Sequence, residues 1–381
     1  MSELVIVGGG LAGGAAAALL AQGGRRPLLL ERASGPHDKI CGEFLSTEAQ
    51  AHLRALGFDV ARLGGAPIDT VRLVHGRRCS TARLPFTGVG LTRRRLDAAL
   101  LEHAAAAGVK VAAGVTVRRV DDGRLATSAG DLQPATLLLA NGKHEVRGSA
   151  RDTSGTVNQL VGFKMYFRVP AAVRLGLAGA IEVVLFEGGY AGLQLVEDGV
   201  VNLCLLVGPE RLAAAGGRWE AVFATLLADE PLLASRLGEA TPLLAKPLTI
   251  AGVPYGFMHR ASTGAAFRLG DQAAVIPSFS GDGMSIALHS ARLAAQSVLS
   301  GGTAVDYHRR LAGDVGAQVA RATWLQRGGQ TRLGRAALVA GLGLWPGALR
   351  LIATATRVPE PALRRAGLRP DASVFRPALQ G

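Results

Sequence analysis

Residues 4–13 read Leu4-Val5-Ile6-Val7-Gly8-Gly9-Gly10-Leu11-Ala12-Gly13, an apolar run that ends in glycines at positions 8, 10 and 13. The run predicts a short buried strand ending at Val7. Glycines there let the backbone turn tightly and approach a pyrophosphate, and a helix is expected from Leu11. The free N–H groups and dipole at that helix start face the phosphates, while Ala12 and Ala15 to Ala18 let the helix pack close to a sheet. A second apolar strand, Pro27 to Leu30, ends in Glu31, 18 residues after Gly13. A carboxylate there accepts hydrogen bonds from a ribose diol and favours an unphosphorylated adenosine ribose. A glycine-rich turn alone is a weak signal; strand, helix and terminal acid together predict a dinucleotide.

A second element lies far downstream. Gly270-Asp271 follows a short apolar stretch, and Pro277 leads into Gly281-Asp282-Gly283-Met284. Asp271 is placed to accept from a ribityl hydroxyl. A helix starting near Gly283 aims its positive end at the N1 and C2=O edge of a flavin, which stabilises the anion formed on reduction. The two elements in this order predict FAD held between the two ends of one long fold.

Composition narrows the remaining classes. At 381 residues the chain has room for two domains or one interleaved fold, and 49% hydrophobic residues describe a well-buried globular protein. The net charge of +13 invites a nucleic-acid reading. However, only 5 of the 42 basic residues are Lys, and the arginines are scattered through an Ala-, Gly- and Leu-rich chain, as in a GC-rich genome. No basic stretch is interleaved with aromatics, so no nucleic-acid partner is expected. Cys41, Cys79 and Cys204 show neither CxxC spacing nor a paired His, which predicts no metal site and no disulfide framework. The first strand begins so early that no targeting peptide is expected, and a cytoplasmic location fits. The apolar stretch Ala336 to Leu349 is too short to span a bilayer.

Strand and helix signals alternate through residues 1–60, implying a parallel sheet covered by helices. Thr70 to Val74 and Ser80 to Leu84 read as short strands joined by a turn at Gly76. A helix follows from Arg93 to Ala107. Val109 to Val120 and Leu125 to Ser128 are strand-like, and Thr136 to Ala140 reads as a buried parallel strand. From Leu160 the pattern changes: Phe163 to Val169, Ala180 to Phe186, Ala191 to Val196 and Val201 to Val207 predict an antiparallel sheet suited to walling a substrate cavity. Residues 219–238 and 284–299 read as helical, 266–269 as a strand, and the tail from about 304 as helical and Arg-rich.

Two further blocks carry a resemblance. Lys39-Ile40-Cys41-Gly42-Glu43 resembles a K-x-C-G-E block, and Arg93-Arg94-Arg95-Leu96-Asp97 resembles an R-x-x-L/F-D helix start. With the glycine motif and the Gly-Asp segment, they make residues 1 to about 300 similar to FAD-dependent oxidoreductases of the p-hydroxybenzoate hydroxylase fold, and most similar to its geranylgeranyl reductase branch. The resemblance implies an α/β fold: an FAD-binding Rossmann-type domain with a parallel sheet, interleaved with a mostly antiparallel substrate domain and followed by a helical C-terminal region. The expected division is 1–70, 91–155 and 255–300 for FAD, 71–90 and 156–254 for substrate, and 301–381 for the helical region. The first block lies close to the flavin in that branch, and the Arg, here Arg93 or Arg94, contacts the cofactor.

Departures limit what is carried over. The family's Ala-Asp-Gly reads Ala140-Asn141-Gly142, with Arg147 following; Asn keeps the turn but loses the carboxylate, so nicotinamide use in the hydroxylase manner is not implied. The branch's Tyr-x-Trp-x-Phe-Pro strand is reduced to Tyr190 in Gly189 to Leu195, so a polyprenyl substrate is not implied either. The Trp-x-Trp-x-x-Pro motif and catalytic Lys of flavin halogenases are not visible.

The residues assigned to FAD are Gly8, Gly10, Leu11, Ala12, Gly13, Glu31, Arg32, Lys39, Cys41, Gly42, Arg93 and Arg94. From the later segments come Asn141, Gly142, Gly270, Asp271, Pro277, Gly281, Asp282, Gly283 and Met284. Cys41, Glu43 and Tyr190 are the catalytic candidates. Cys41 is read either as lining the flavin's reactive face or as a small buried filler, and Glu43 as a proton donor or a cap on the next helix. Phe163 is a core or cavity residue, and His289 a structural one. Residues 332–357 either lie on a membrane surface or close over the catalytic domain. The expected function is an FAD-dependent oxidoreductase passing hydride to a C=C bond or quinone-like acceptor on an apolar substrate, with electrons from NAD(P)H, a protein or a quinol. The alternative is a monooxygenase acting on an aromatic or polyketide-like compound. A third reading is a flavin-binding protein without turnover.

Overall fold

Strand β1 (Leu4–Val7) is wholly apolar because it sits in the middle of a parallel sheet with both faces covered. A computed structural model describes residues 3–260, 265–345 and 347–369. Around β1 the sheet runs β17 (Phe267–Arg268), β10 (Thr136–Leu139), β1, β2 (Leu28–Glu31) and β6 (Lys110–Ala113), all parallel. Helices α1 (Leu11–Gln22), α3 (Arg93–Ala106) and α8 (Gly283–Leu299) cover one face. The buried Ala15 to Ala18 row, expected to face the sheet, also lets α1 sit close to α8. A small antiparallel sheet of β7 (Val117–Asp121), β8 (Arg124–Thr127) and β9 (Gly130–Leu132) covers the other face through Val120 and Leu125.

The second sheet has the order β15 (Thr241–Pro242), β11 (Val161–Arg168), β14 (Val201–Val207), β13 (Gly189–Leu195), β12 (Gly179–Phe186), β4 (Ala66–His75), β5 (Arg78–Gly90) and β3 (Phe44–Leu45). Strand β16 (Leu248–Ala251) adds to β11. Only β4 and β12 pair in parallel, so the sheet is mixed where the hairpin joins it and antiparallel elsewhere. Helices α4 (Ala171–Leu177), α5 (Pro209–Ala214), α6 (Trp219–Asp229) and α7 (Pro231–Leu237) pack against it around Val184, Phe186 and Leu203. Phe163 lies in this core, its ring 5.5 Å from that of Trp219.

The hairpin strands β4 and β5 are longer than their alternation suggests. The stretch 109–120 divides in two at Gly114, whose φ of +77° ends the pairing. The helical reading of 219–238 divides at Pro231, which starts α7. Helix α2 (Thr47–Arg54) is capped by Ser46. The tail forms α9 (Ala304–Gln330), α10 (Arg332–Leu344), α11 (Gly347–Ala355) and α12 (Glu360–Arg365). Residues 370–381 of the expected C-terminal region lie outside the described residues.

Candidate functional site

The glycine turn is built from close backbone approaches. Gly8 has a φ of +101°, and a Cβ there or at Gly13 would overlap the carbonyl oxygen of Ala140 or of Gly8. Helix α1 begins at Leu11 and Ala12 with no side-chain cap and no acid in its first turn. Its first N–H groups therefore have no side-chain cap. Glu31 lies under the turn: its Oε2 accepts from the Gly9 N–H at 2.6 Å and its Oε1 from the Ala33 N–H at 2.8 Å. Each oxygen keeps a second lone pair for a ribose hydroxyl. Exposed Arg32 reaches His144 at 3.3 Å, away from the turn.

Two cations flank Gly10. A Cβ on it would come 3.3 Å from Arg93 Nη2 and 3.4 Å from Lys39 Nζ. Both are anchored by Asp97: Arg93 donates from Nε and Nη2 at 2.8 and 2.9 Å, and Lys39 at 2.8 Å. Burial alone would raise the Asp97 carboxyl, but Arg93 and Lys39 outweigh it and hold it below its ordinary value. Burial likewise opposes the Arg93 charge, and Asp97 together with the neighbouring Cys41 thiol overcomes it. The structure thereby separates Arg93 from Arg94. Arg94 turns outward to pair with Asp38 at 3.0 and 3.1 Å.

From the turn a strip of open backbone leads toward α8. Cβ atoms placed at Gly42, Gly142 or Gly283 would meet nothing within 4 Å. Beside the strip, Asn141 donates from Nδ2 to His144 O at 2.6 Å, while its buried Oδ1 has no partner among the described residues. Lys143 Nζ lies 3.3 Å from Asp271 Oδ2 and 3.3 Å from Ile40 O, so three separated segments meet at one ammonium. Arg151 donates to Asp271 O at 2.7 Å and Gln272 to Gly142 O at 2.7 Å, fixing the Gly270-Asp271 segment. The arginine that ties this region together is thus Arg151; Arg147 is exposed. Pro277 precedes a short turn that ends at Gly281, with a φ of +68°, and α8 then starts at Gly283 and Met284.

The Asp282 side chain faces the protein interior. Its carboxylate is turned inward, accepting from Val358 N at 2.8 Å and Gln318 Nε2 at 3.1 Å. Burial pushes it up to about 7, against the pull of Arg357. It therefore ties the start of α8 to α9 and to the segment after α11.

Glu43 is also turned inward. It is fully buried with a φ of +60°, and its Oε1 accepts from Lys164 Nζ at 2.6 Å, Tyr166 Oη at 2.7 Å and Arg93 N at 2.7 Å. Burial raises the Glu43 carboxyl despite these donors, Lys164 foremost. Ser46, not Glu43, caps the next helix; the Glu43 bond to Arg93 N places it at the start of α3 instead. Lys164 also donates to Lys39 O at 2.9 Å, while Gln194 and Asn202 donate to Glu43 O at 2.8 Å and Gly42 O at 2.9 Å. These donors from the second sheet set the path of residues 39–43. Sequence reasoning missed Lys143, Arg151, Lys164, Tyr166, Gln194 and Asn202. The one available signal was a Lys, a Gln and an Asn on otherwise apolar strands.

At the far end of the strip opens a cavity of about 170 Å³. One wall is the second sheet, with Leu73, Phe86, Val183 and Tyr190; another is the turn Phe279 to Gly281 with Phe44. Leu325 and Gln326 of α9, Leu338 of α10, and Leu349 and Ile352 of α11 close it. Leu338, Leu349 and Ile352 of the tail thus pack over the cavity beside the second sheet. Tyr190 Oη bonds Ser278 Oγ at 2.7 Å and accepts from Phe279 N at 3.0 Å, holding the turn against the sheet. His289 is buried against Asp314 at 2.9 Å and belongs to the core.

Known proteins resemble this chain in sequence or fold. A model described as an NAD(P)-binding Rossmann-like domain matches residues 6–54. A menaquinone reductase of Mycolicibacterium smegmatis (strain ATCC 700084 / mc(2)155) is 28% identical over 333 residues, covering 80% of this chain and 78% of the relative. A solved flavoprotein/dehydrogenase from Cytophaga hutchinsonii superposes with a TM-score of 0.71 at 17% identity, over 96% of this chain and 98% of that one. The chain has the fold of these flavoproteins. The flavin-dependent halogenase CmlS shares it too, with a TM-score of 0.69 at 19% identity over 85% of this chain; the chain spans 63% of that protein's length. None of Trp219, Trp324 and Trp345 falls in a Trp-x-Trp-x-x-Pro motif, so the halogenase likeness is one of fold.

Proposed function

We propose that this chain is an FAD-dependent oxidoreductase that reduces a quinone-like ring or C=C bond on an apolar substrate. One observation carries the reading: the backbone strip suited to a dinucleotide and the apolar cavity meet at Phe44 and Gly281. Bound along the strip, FAD supplies hydride-transfer chemistry. The uncapped start of α1, Arg93 and Lys39 bind the pyrophosphate, Glu31 the ribose, and Asp271 the ribityl chain. The buried Oδ1 of Asn141 would accept from the bound cofactor, and the first N–H groups of α8 would stabilise negative charge on a reduced flavin. Cys41, set beside Arg93 and inside the 39–43 segment, lines the reactive face. The cavity orients the substrate and excludes water.

The menaquinone reductase relative supports an acceptor of quinone type, and Asn141 in place of Asp weighs against the hydroxylase reaction. Electrons arrive from NAD(P)H or from a protein or quinol donor. Among the described residues no helix is long and apolar enough to cross a membrane. The cavity's closing helices nevertheless carry Trp324, Leu333 and Leu351, 75%, 85% and 55% exposed, and Trp345 just after α10 is 60% exposed. Exposed Arg321, Arg327 and Arg350 lie on the same helices. Exposed apolar side chains with basic residues on the same helices suit peripheral contact with an anionic bilayer, from which an apolar substrate enters. The reaction is tested by reducing the purified flavoprotein without oxygen and offering it a naphthoquinone or air.

A further inference from the structure

Two buried polar side chains among those lining the cavity, which also include Tyr190, Ser280, Gln330 and Thr356, have bonding capacity that no described residue uses. Gln326 of α9 is 5% exposed, and neither its Nε2 nor its Oε1 has a partner among the described residues. Arg357 is 7% exposed and held in place from two sides. Its Nε donates to both Glu48 oxygens at 3.1 and 3.0 Å, and its guanidinium stacks 3.9 Å over the Phe86 ring. Its Nη2 is left without a partner among the described residues.

We propose that Gln326 and Arg357 form the polar grip of the cavity, binding the oxygen of a neutral ring ketone, quinone or hydroquinone whose apolar body fills the remaining space. The inference rests on reading the cavity as the substrate site and adds the groups that select the substrate. A buried amide with neither atom bonded is costly, and a ligand that bonds it recovers the loss. An amide suits a quinone in both redox states: its NH2 donates to the carbonyl of the oxidised ring, and its C=O accepts from the hydroxyl of the reduced one. Arg357 adds a directed donor at a fixed position. The ligand is neutral because Glu48 already balances the Arg357 charge. Asp282 stands close to both, so a carboxylate ligand would add a third negative charge beside the single Arg357 guanidinium.

The test compares FAD-loaded wild-type protein and Gln326→Leu in equilibrium dialysis with two probes. These are 2-methyl-1,4-naphthoquinone and the oxygen-free 2-methylnaphthalene. The variant is expected to bind the naphthoquinone about tenfold more weakly and the hydrocarbon at least as well as wild type. Ligand-free Gln326→Leu melts at or above the wild-type temperature, because it removes an unbonded buried amide; this also shows that the variant folds. Gln326→Glu serves as a second variant and loses the naphthoquinone as the pH rises and the new carboxylate ionises. Unchanged naphthoquinone affinity in Gln326→Leu, an equal loss for both probes, or no binding of either probe by wild type overturns the grip. Flavin re-oxidation separates this from the reaction itself. If Gln326-dependent binding occurs but naphthoquinone leaves reduced flavin untouched, the proposed reaction fails and the grip stands. If naphthoquinone re-oxidises both proteins equally at unchanged affinity, the grip fails and the reaction stands.

Discussion

Lys164 Nζ lies 2.6 Å from Glu43 Oε1, and both side chains are fully buried between the dinucleotide strip and the second sheet. The pair joins the segment 39–43 to strand β11, so the position of Cys41 and Lys39 depends on an ion pair contributed from the other sheet. Removing one partner leaves the other charge buried and alone. Lys164→Met is therefore expected to destabilise the protein by about 3–5 kcal/mol, read from urea unfolding. A loss below about 1 kcal/mol would mean the pair contributes little beyond filling space.

The same pair predicts a pH dependence. The Glu43 carboxyl titrates near 4.5 when unfolded and higher when folded, because burial outweighs its donors. Between those two values the native state binds the extra proton, so stability falls as pH rises through the window. Glu43→Gln is expected to flatten that part of the stability profile, measured as Tm across the acid range. An unchanged slope contradicts the assignment to Glu43.

The cations beside Gly10 have separable roles. Arg93 stands 3.3 Å from a Cβ placed on Gly10, whereas Arg94 is held outward by Asp38. Arg93→Gln is expected to raise the Kd for FAD by roughly tenfold to a hundredfold, the worth of a charge-assisted hydrogen bond. Arg94→Gln leaves it within about twofold, as for other exposed ion pairs. Fluorescence titration of the apoprotein with FAD checks both, and equal effects would remove the distinction.

Glycines in the turn also differ from one another. At Gly13 a Cβ would overlap the Gly8 carbonyl oxygen, so Gly13→Ala must distort backbone. At Gly10 the nearest atoms are the ends of Arg93 and Lys39, which can give way. Gly10→Ala is expected to purify folded with lowered FAD content, and Gly13→Ala to lose Tm as well. Flavin absorbance per protein and a melting curve distinguish the two.

The outward face of the tail helices predicts sedimentation with anionic liposomes. Replacing Leu333 and Trp345 with Ser is expected to shift the protein to the supernatant without lowering Tm, since both side chains are largely exposed. Wild-type protein that stays in the supernatant refutes the contact.

The dinucleotide end of the site was legible in sequence because its requirements are local. Gly8, Gly13 and Glu31 lie on one strand–turn–helix–strand unit, where spacing alone fixes geometry. The start of α8 was legible for the same reason, whereas the Lys143 and Arg151 contacts that hold Asp271 were not. The contacts that shape residues 39–43 were not, since Lys164 is 121 residues from Glu43 in sequence and Asn202 is 160 from Gly42. An apolar strand bearing one Lys gives no hint of its partner. Arg93 and Arg94 are equivalent in sequence, and only the Asp38 and Asp97 partners tell them apart. Asp282 and Glu43 read as site carboxylates, yet tertiary packing turned both inward. Gln326 carries no signal at all in a helix of mixed composition; it stands out only because the cavity leaves its amide without a partner.

Reduced flavin in this protein is expected to pass electrons to a quinone-like or C=C acceptor. The most direct measurement is anaerobic reduction of the FAD-loaded protein, followed by rapid mixing with 2-methyl-1,4-naphthoquinone or with air-saturated buffer while flavin absorbance is followed. Faster re-oxidation by the naphthoquinone than by oxygen, with hydroquinone as the product, is the predicted result. Rapid reaction with oxygen through a transient hydroperoxide and none with the quinone would contradict it in favour of hydroxylation, and a colourless protein that takes up no FAD would contradict it outright.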